Sequence, residues 1–247
     1  MNPTFFDRIF YVAIVVSTAV VFGIVFSVHG GLRPQTKLDT DAQKDIPHIS
    51  YEDVPPSHPS FEAISELSKQ NILQGYPDRT YRPDVASNRI EAIKILLQIS
   101  PMENNDINEV FQKYIKSDFD MPYFLFPDVK ATDWFAPALY RAYQLGLVKG
   151  SPDGNFEAGR PIMLSEFLKM LFVLEREVIA KDDEAQQPFE GVAAYMWYTP
   201  YFVRAKNIGL LPIREGDDVN PSEELTRGRI AEVMYKYLSL RTGSGKQ

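Results

Sequence analysis

No cysteine occurs among the 247 residues, which removes disulfides, thiolate metal sites and cysteine nucleophiles together. Histidine is nearly as scarce. His29, His48 and His58 are dispersed, so loop roles suit them better than a histidine metal centre. Positive charge is short as well: 26 Lys plus Arg stand against 33 Asp plus Glu, a net charge of -7, without the basic balance of a nucleic-acid binder. No nucleic acid is expected as a partner. What the chain does have is 45% hydrophobic residues, enough for a packed core, and one long charge-free run.

That run extends from Ile9 to Val28. At 1.5 Å rise per residue it reaches about 30 Å, one hydrocarbon thickness of a bilayer. It is longer than the apolar part of an ordinary signal peptide, and Val28-His29-Gly30 is a poor cleavage site. The expectation is a transmembrane anchor in residues 1–30 that touches the membrane through 9–28, with the N-terminus inside and the C-terminal part outside. Cleavage would instead leave a secreted chain. Residues 31–50 include Pro34 and Pro47, show no apolar period and read as a flexible spacer.

The remainder repeats itself. Segments opening at Tyr51 (YEDV), Phe126 (FPDV) and Phe189 (FEGV) align without a gap. In register stand Asp53, Asp128 and Gly191, then Pro59, Trp134 and Trp197, then Ile64, Leu139 and Phe202. Further on come Gly75, Gly150 and Ile213, and finally Arg89, Leu164 and Arg227. Each segment reads as helix, turn, helix. Phe61, Ile64 and Leu67 set the first helical stripe, and Ile90, Ile93, Leu96 and Leu97 the second. The turn between is rich in Gly, Pro and Asp, as in GYPDRTYRP and GSPDGNFEAGRP. Asn88 with Glu91 forms a capping-box signature, and Thr226 is a good N-cap. Ile107, Val110, Phe111, Tyr114 and Ile115 have helical spacing and predict an inserted helix between the first two segments.

At these residues the chain resembles the S-layer homology family. That family's repeats open with an F-x-D-V-like phrase, pass through G-I-I-x-G-Y-P-D-G-T-F-x-P and close on I-T-R-A-E. The first segment carries Ile72-Leu73-Gln74-Gly75-Tyr76-Pro77-Asp78, the second Pro152-Asp153-Gly154-Asn155-Phe156, and the third Leu225-Thr226-Arg227. The resemblance implies an all-α fold in which three helix-turn-helix repeats form a three-pronged spindle around a central helical bundle. It also implies grooves that bind an anionic secondary cell-wall polysaccharide, pyruvylated in several bacteria. The expected organisation is repeat 1 at 51–100, a helical connector at 101–125, repeat 2 at 126–175, a polar linker at 176–188 and repeat 3 at 189–240. Carried over by position, the groove residues are Asp53, Gly75 and Arg89; Asp128, Trp134 and Gly150; Trp197 and Arg227.

The residue chemistry agrees with that assignment. An arginine fork matches a carboxylate, an indole offers a flat face to a sugar, and an aspartate accepts from hydroxyls. Plainer roles stay open: core burial for the tryptophans, turn capping for the aspartates and backbone geometry for the glycines. Arg89 and Arg227 are expected at helix starts, facing grooves and outside the core. Leu164, Gly191, Ile213 and Arg229 depart from the family pattern. No catalytic role is expected, because Asp182-Asp183-Glu184 and Asp217-Asp218 fall in a linker and a turn. Nor is a calcium loop, since Ser151 to Asn155 lacks the alternating oxygen ligands. No cofactor is implied. The two functional expectations are a cell-envelope protein that holds a wall polysaccharide and a module with degenerate grooves that docks another envelope protein.

Overall fold

The computed structural model describes residues 51–100, 111, 125–211 and 218–244, all within one compact unit spanning Asp45–Gln247. The expected membrane span at 9–28 and the spacer at 31–50 lie outside the described residues. Among the described residues no helix is long and apolar enough to cross a membrane. Of the expected connector helix only Phe111 is described. It is helical and buried, with its ring 5.9 Å from that of Tyr140.

Six α-helices occur among the described residues: α1 Phe61–Lys69, α2 Arg89–Gln98, α3 Ala136–Gln144, α4 Leu164–Leu174, α5 Thr199–Asn207 and α6 Arg227–Ser244. No strand accompanies them there, only isolated bridges, so the fold is helical as the apolar spacing predicts. A 3-10 helix, Lys181–Ala185, stands inside the expected polar linker. Local chemistry starts the helices. Asn88 caps α2 by accepting from the Glu91 amide at 2.9 Å while Glu91 accepts from the Asn88 amide at 3.1 Å. Thr226 accepts from the Arg229 amide at the start of α6. Pro137 and Pro200 open α3 and α5, where a helix has amides to spare.

The three helix pairs are closed by a ring of backbone hydrogen bonds. Ser87 N donates to Leu225 O at 2.8 Å, Leu225 N to Ile162 O at 2.9 Å and Ile162 N to Ser87 O at 2.9 Å, so each pair donates to one neighbour and accepts from the other. Arg89 N to Arg160 O, Leu164 N to Glu223 O and Arg227 N to Val85 O make a second ring of the same kind. Packing follows the same cycle. The α1 helix lies on α6, α3 on α2 and α5 on α4. Each first helix thus covers the apolar stripe of another pair's second helix, which a lone pair would leave in water. One apolar cluster results, running from Val54 through Leu96, Leu139, Phe167 and Phe202 to Tyr237.

Candidate functional site

The two opening aspartates turn inward on their own segments. Asp53 accepts from the backbone amides of Tyr81 (2.8 Å) and Arg82 (2.6 Å), and Asp128 from those of Phe156 (2.8 Å) and Glu157 (2.7 Å). Arg82 and Glu157 both take a positive φ, 61° and 58°. Each carboxylate therefore holds a strained turn in place, the turn-capping alternative read from the sequence. The glycines are also explained by close approach. A Cβ on Gly75 would stand 2.2 Å from the Tyr51 ring, and one on Gly150 2.8 Å from the Phe126 ring.

The closing arginines depart from expectation. Arg89 is 8% exposed and Arg227 7%, so both belong to the interior rather than to a solvent-facing surface. The ring of backbone bonds carries each helix start against the turn of another pair. Arg227 donates through Nε to Tyr81 O at 2.8 Å and through Nη2 to Gln74 O at 3.1 Å, with its guanidinium 4.6 Å from the Tyr81 ring centroid. Arg89 does the same one position round, donating to Phe156 O with its guanidinium 4.8 Å from the Phe156 ring. Carbonyl oxygens and aromatic faces replace water around the charge, which reconciles it with a helix N-terminus. Burial lowers the pKa of Arg89 and pushes the Tyr81 phenol up, the latter opposed by Arg227.

Above Arg227 opens a cavity of about 370 Å³. Gln74, Gly75 and Tyr76 come from the first turn, Glu91, Lys94, Ile95 and Gln98 from α2, Trp134 from the second segment and Arg227 from the third. Three residues expected from sequence, Gly75, Trp134 and Arg227, thus meet in one place although they lie in different segments. Trp134 is 67% exposed, and Lys94 Nζ stands 4.6 Å over its ring. An equivalent set forms one junction further on. Trp197 is 54% exposed, Lys169 Nζ lies 5.6 Å over its ring, and Arg89 and Lys149 act electrostatically on Lys169. Burial is the main cause that lowers the Lys169 pKa, followed by the charge of Lys149. Both indoles are exposed, so neither is a core residue.

The third junction is built differently. Leu164 stands at the arginine position and Val219 at the position held by Tyr81 and Phe156 in the other two turns; they are 1% and 5% exposed. Gly191 has no carboxylate to clamp its turn. Instead Val219 N donates to Glu190 O at 2.9 Å, and Asp218 Oδ1 lies 2.0 Å from where a Cβ on residue 191 would be. Where the other pairs have Lys94 and Lys169, the register places Glu232, which accepts from Ser60 Oγ at 2.8 Å and from Arg229 at 2.9 Å. The tryptophan position is Pro59. Ile213 lies outside the described residues.

Two residues were missed from sequence, Lys94 and Lys169. The signal was available. They share one register position in the alignment, five residues beyond the closing arginine position, and the third segment carries Glu232 there. Among the described residues no cluster of His, Asp or Glu is arranged to hold a metal.

The family model of the S-layer homology domain matches residues 50–93 and 125–168. An S-layer protein named sap from Bacillus anthracis is 26% identical over 117 residues, 47% of this chain and 14% of that protein. An S-layer protein of Bacillus thuringiensis subsp. finitimus gives the same coverage and identity. An amylopullulanase of Thermoanaerobacterium thermosulfurigenes is 20% identical over 72% of this chain and 9% of its own length. The chain therefore spans a small fraction of each relative. Its first two helix pairs are similar to S-layer homology domains, a likeness that marks it as a protein of the cell surface.

Proposed function

We propose that residues 51–100, 126–175 and 189–240 are three S-layer-homology-like repeats arranged as a three-pronged spindle, and that they hold an anionic cell-wall polysaccharide non-covalently. Residues 9–28 would tether the same chain to the membrane, making it a link between membrane and envelope. The observation that carries the reading is the cavity at the first junction. It offers an exposed indole face, a lysine above it and Glu91 and Gln98 at its rim, on an apolar floor of Ile72, Leu73 and Ile95. An indole packs on the C–H face of a sugar, the lysine meets a carboxylate such as a pyruvyl group, and the polar rim meets hydroxyls. Arg89 and Arg227 then act as positioning residues that hold each turn against its groove, with Asp53 and Asp128 bracing the same turns.

Two grooves are proposed to work, at Gly75–Lys94–Trp134–Arg227 and at Gly150–Lys169–Trp197–Arg89. The third junction, with Glu232 in place of the lysine, would repel an anionic chain. A second reading, docking to an envelope protein, is favoured by Tyr195 and Met196. They are 77% and 42% exposed beside Trp197, more apolar surface than a single sugar needs. Pull-down on isolated walls separates the two. Retention that is lost when the wall polysaccharide is chemically removed supports glycan binding, and undiminished retention supports protein docking.

A further inference from the structure

The two proposed grooves differ on either side of their glycine. The first has Gln74-Gly75-Tyr76 and the second, in the same register, Lys149-Gly150-Ser151. In the first groove the Tyr76 ring lies beneath the guanidinium carbons of Arg82 and Arg227, at 4.1 and 4.9 Å. Arg227 is spent on carbonyl oxygens, so among the described residues Lys94 is the one cation of that lining left for a ligand. The second groove has two. Lys149 is exposed beside Gly150, Lys169 is half-buried against Trp197, and the two are close enough for Lys149 to act on Lys169. The nearby carboxylate of Glu166 is already taken by Arg160 at 2.5 Å and by the Met163 amide. Lys169 lies over the indole face, Lys149 acts on it from beside Gly150, and among the described residues no carboxylate forms an ion pair with either. Such an arrangement is stabilised by an incoming group of higher negative charge.

We infer that the second groove takes a doubly charged substituent, a sugar phosphate monoester, while the first takes a singly charged carboxylated sugar. This rests on the polysaccharide reading above and assigns different chemistry to its two sites. A phosphate monoester carries close to two charges at neutral pH and three acceptor oxygens, enough to engage both lysines at once. An added exposed ion pair is worth up to about fivefold in affinity.

The chain holds two tryptophans, one in each groove, so their indole N–H signals report the sites separately. The full chain, labelled with ¹⁵N-tryptophan in mild detergent and assigned with Trp134→Phe, is titrated with glucose 6-phosphate and with glucuronate at pH 7.5. Glucose 6-phosphate should move the Trp197 signal with a Kd about fivefold below that at Trp134, a preference absent for glucuronate. Lys149→Gln with Ser151→Tyr should remove the preference, and Gln74→Lys should bring the Trp134 signal to a matching Kd. Equal Kd values at both indoles, a preference for Trp134 or a silent Trp197 signal would overturn the inference. Purified wall polysaccharide is titrated in parallel. If it moves both indoles while glucose 6-phosphate shows no preference, only this inference falls; if it moves neither, the polysaccharide reading falls.

Discussion

At two of the three junctions an arginine crosses from a helix start into the neighbouring turn, and at the third the register puts a buried leucine in the arginine's place and a buried valine in the turn. The same two junctions carry an exposed tryptophan beneath a lysine, whereas the third carries Pro59 and Glu232. Along the chain the departures from the repeat pattern are scattered, with Pro59 in the first segment, Leu164 in the second, and Gly191 and Glu232 in the third. Cyclic packing collects them at one place, because each junction draws its turn, its aromatic and its closing residue from three different segments. The difference teaches that the departures coincide at one junction, while the other two each carry arginine, tryptophan and lysine together.

The sharpest way to break this comparison is to move the charge. Leu164→Arg buries a guanidinium at a junction whose facing turn carries Val219 where the other two carry Tyr81 and Phe156, so it should destabilise by about 3–5 kcal/mol rather than create a third groove. Thermal unfolding followed by circular dichroism reads this, and an unchanged or raised Tm would contradict it. Next in size is Arg227→Ala, which strips the Tyr81 and Gln74 carbonyls of their donor inside the protein. About 3 kcal/mol should be lost, a fall in Tm on the order of 6–12 °C. Arg89→Ala should behave alike. Reduced wall retention in these variants must therefore be read beside their stability, which exposed helix-start arginines would not require.

Asp128→Ala should cost about 1–2 kcal/mol, since the residue is exposed but its carboxylate holds two amides of a turn with a positive φ. Gly191→Asp at the third junction should give no matching gain, because Asp218 already fills that space. Urea midpoints of the two variants measure the contrast. The smallest effect on stability is expected for Trp134→Ala and Trp197→Ala, within about 0.5 kcal/mol because both indoles are exposed. Wall binding should nonetheless fall about tenfold for each, the stacking and cation–π contributions together.

Much of the fold was legible in the sequence. The apolar stripes at Phe61, Ile64, Leu67 and at Ile90, Ile93, Leu97 became α1 and α2, and Asn88 with Glu91 became a complete capping box. The site was legible only in part. Register named Gly75, Trp134 and Arg227, but no periodicity could say that three segments deliver them to one cavity, since that depends on the ring of bonds through Ser87, Ile162 and Leu225. The burial of Arg89 and Arg227 was not foreseen for a related reason. A helix-start arginine looks solvated until a turn far away in sequence supplies carbonyls and an aromatic face. Lys94 and Lys169 escaped notice because a surface lysine on a helix carries no signal by itself; its meaning comes from the indole brought beneath it by another segment.

The central claim is that two junctions bind an anionic wall polysaccharide and the third does not. Calorimetric titration of the full chain with a size-homogeneous fragment of purified wall polysaccharide tests it most directly. The account predicts two binding sites per chain, one of them weakened about tenfold by Trp134→Ala and both in the Trp134→Ala, Trp197→Ala double variant. Three sites, or undiminished binding by the folded double variant, would contradict it.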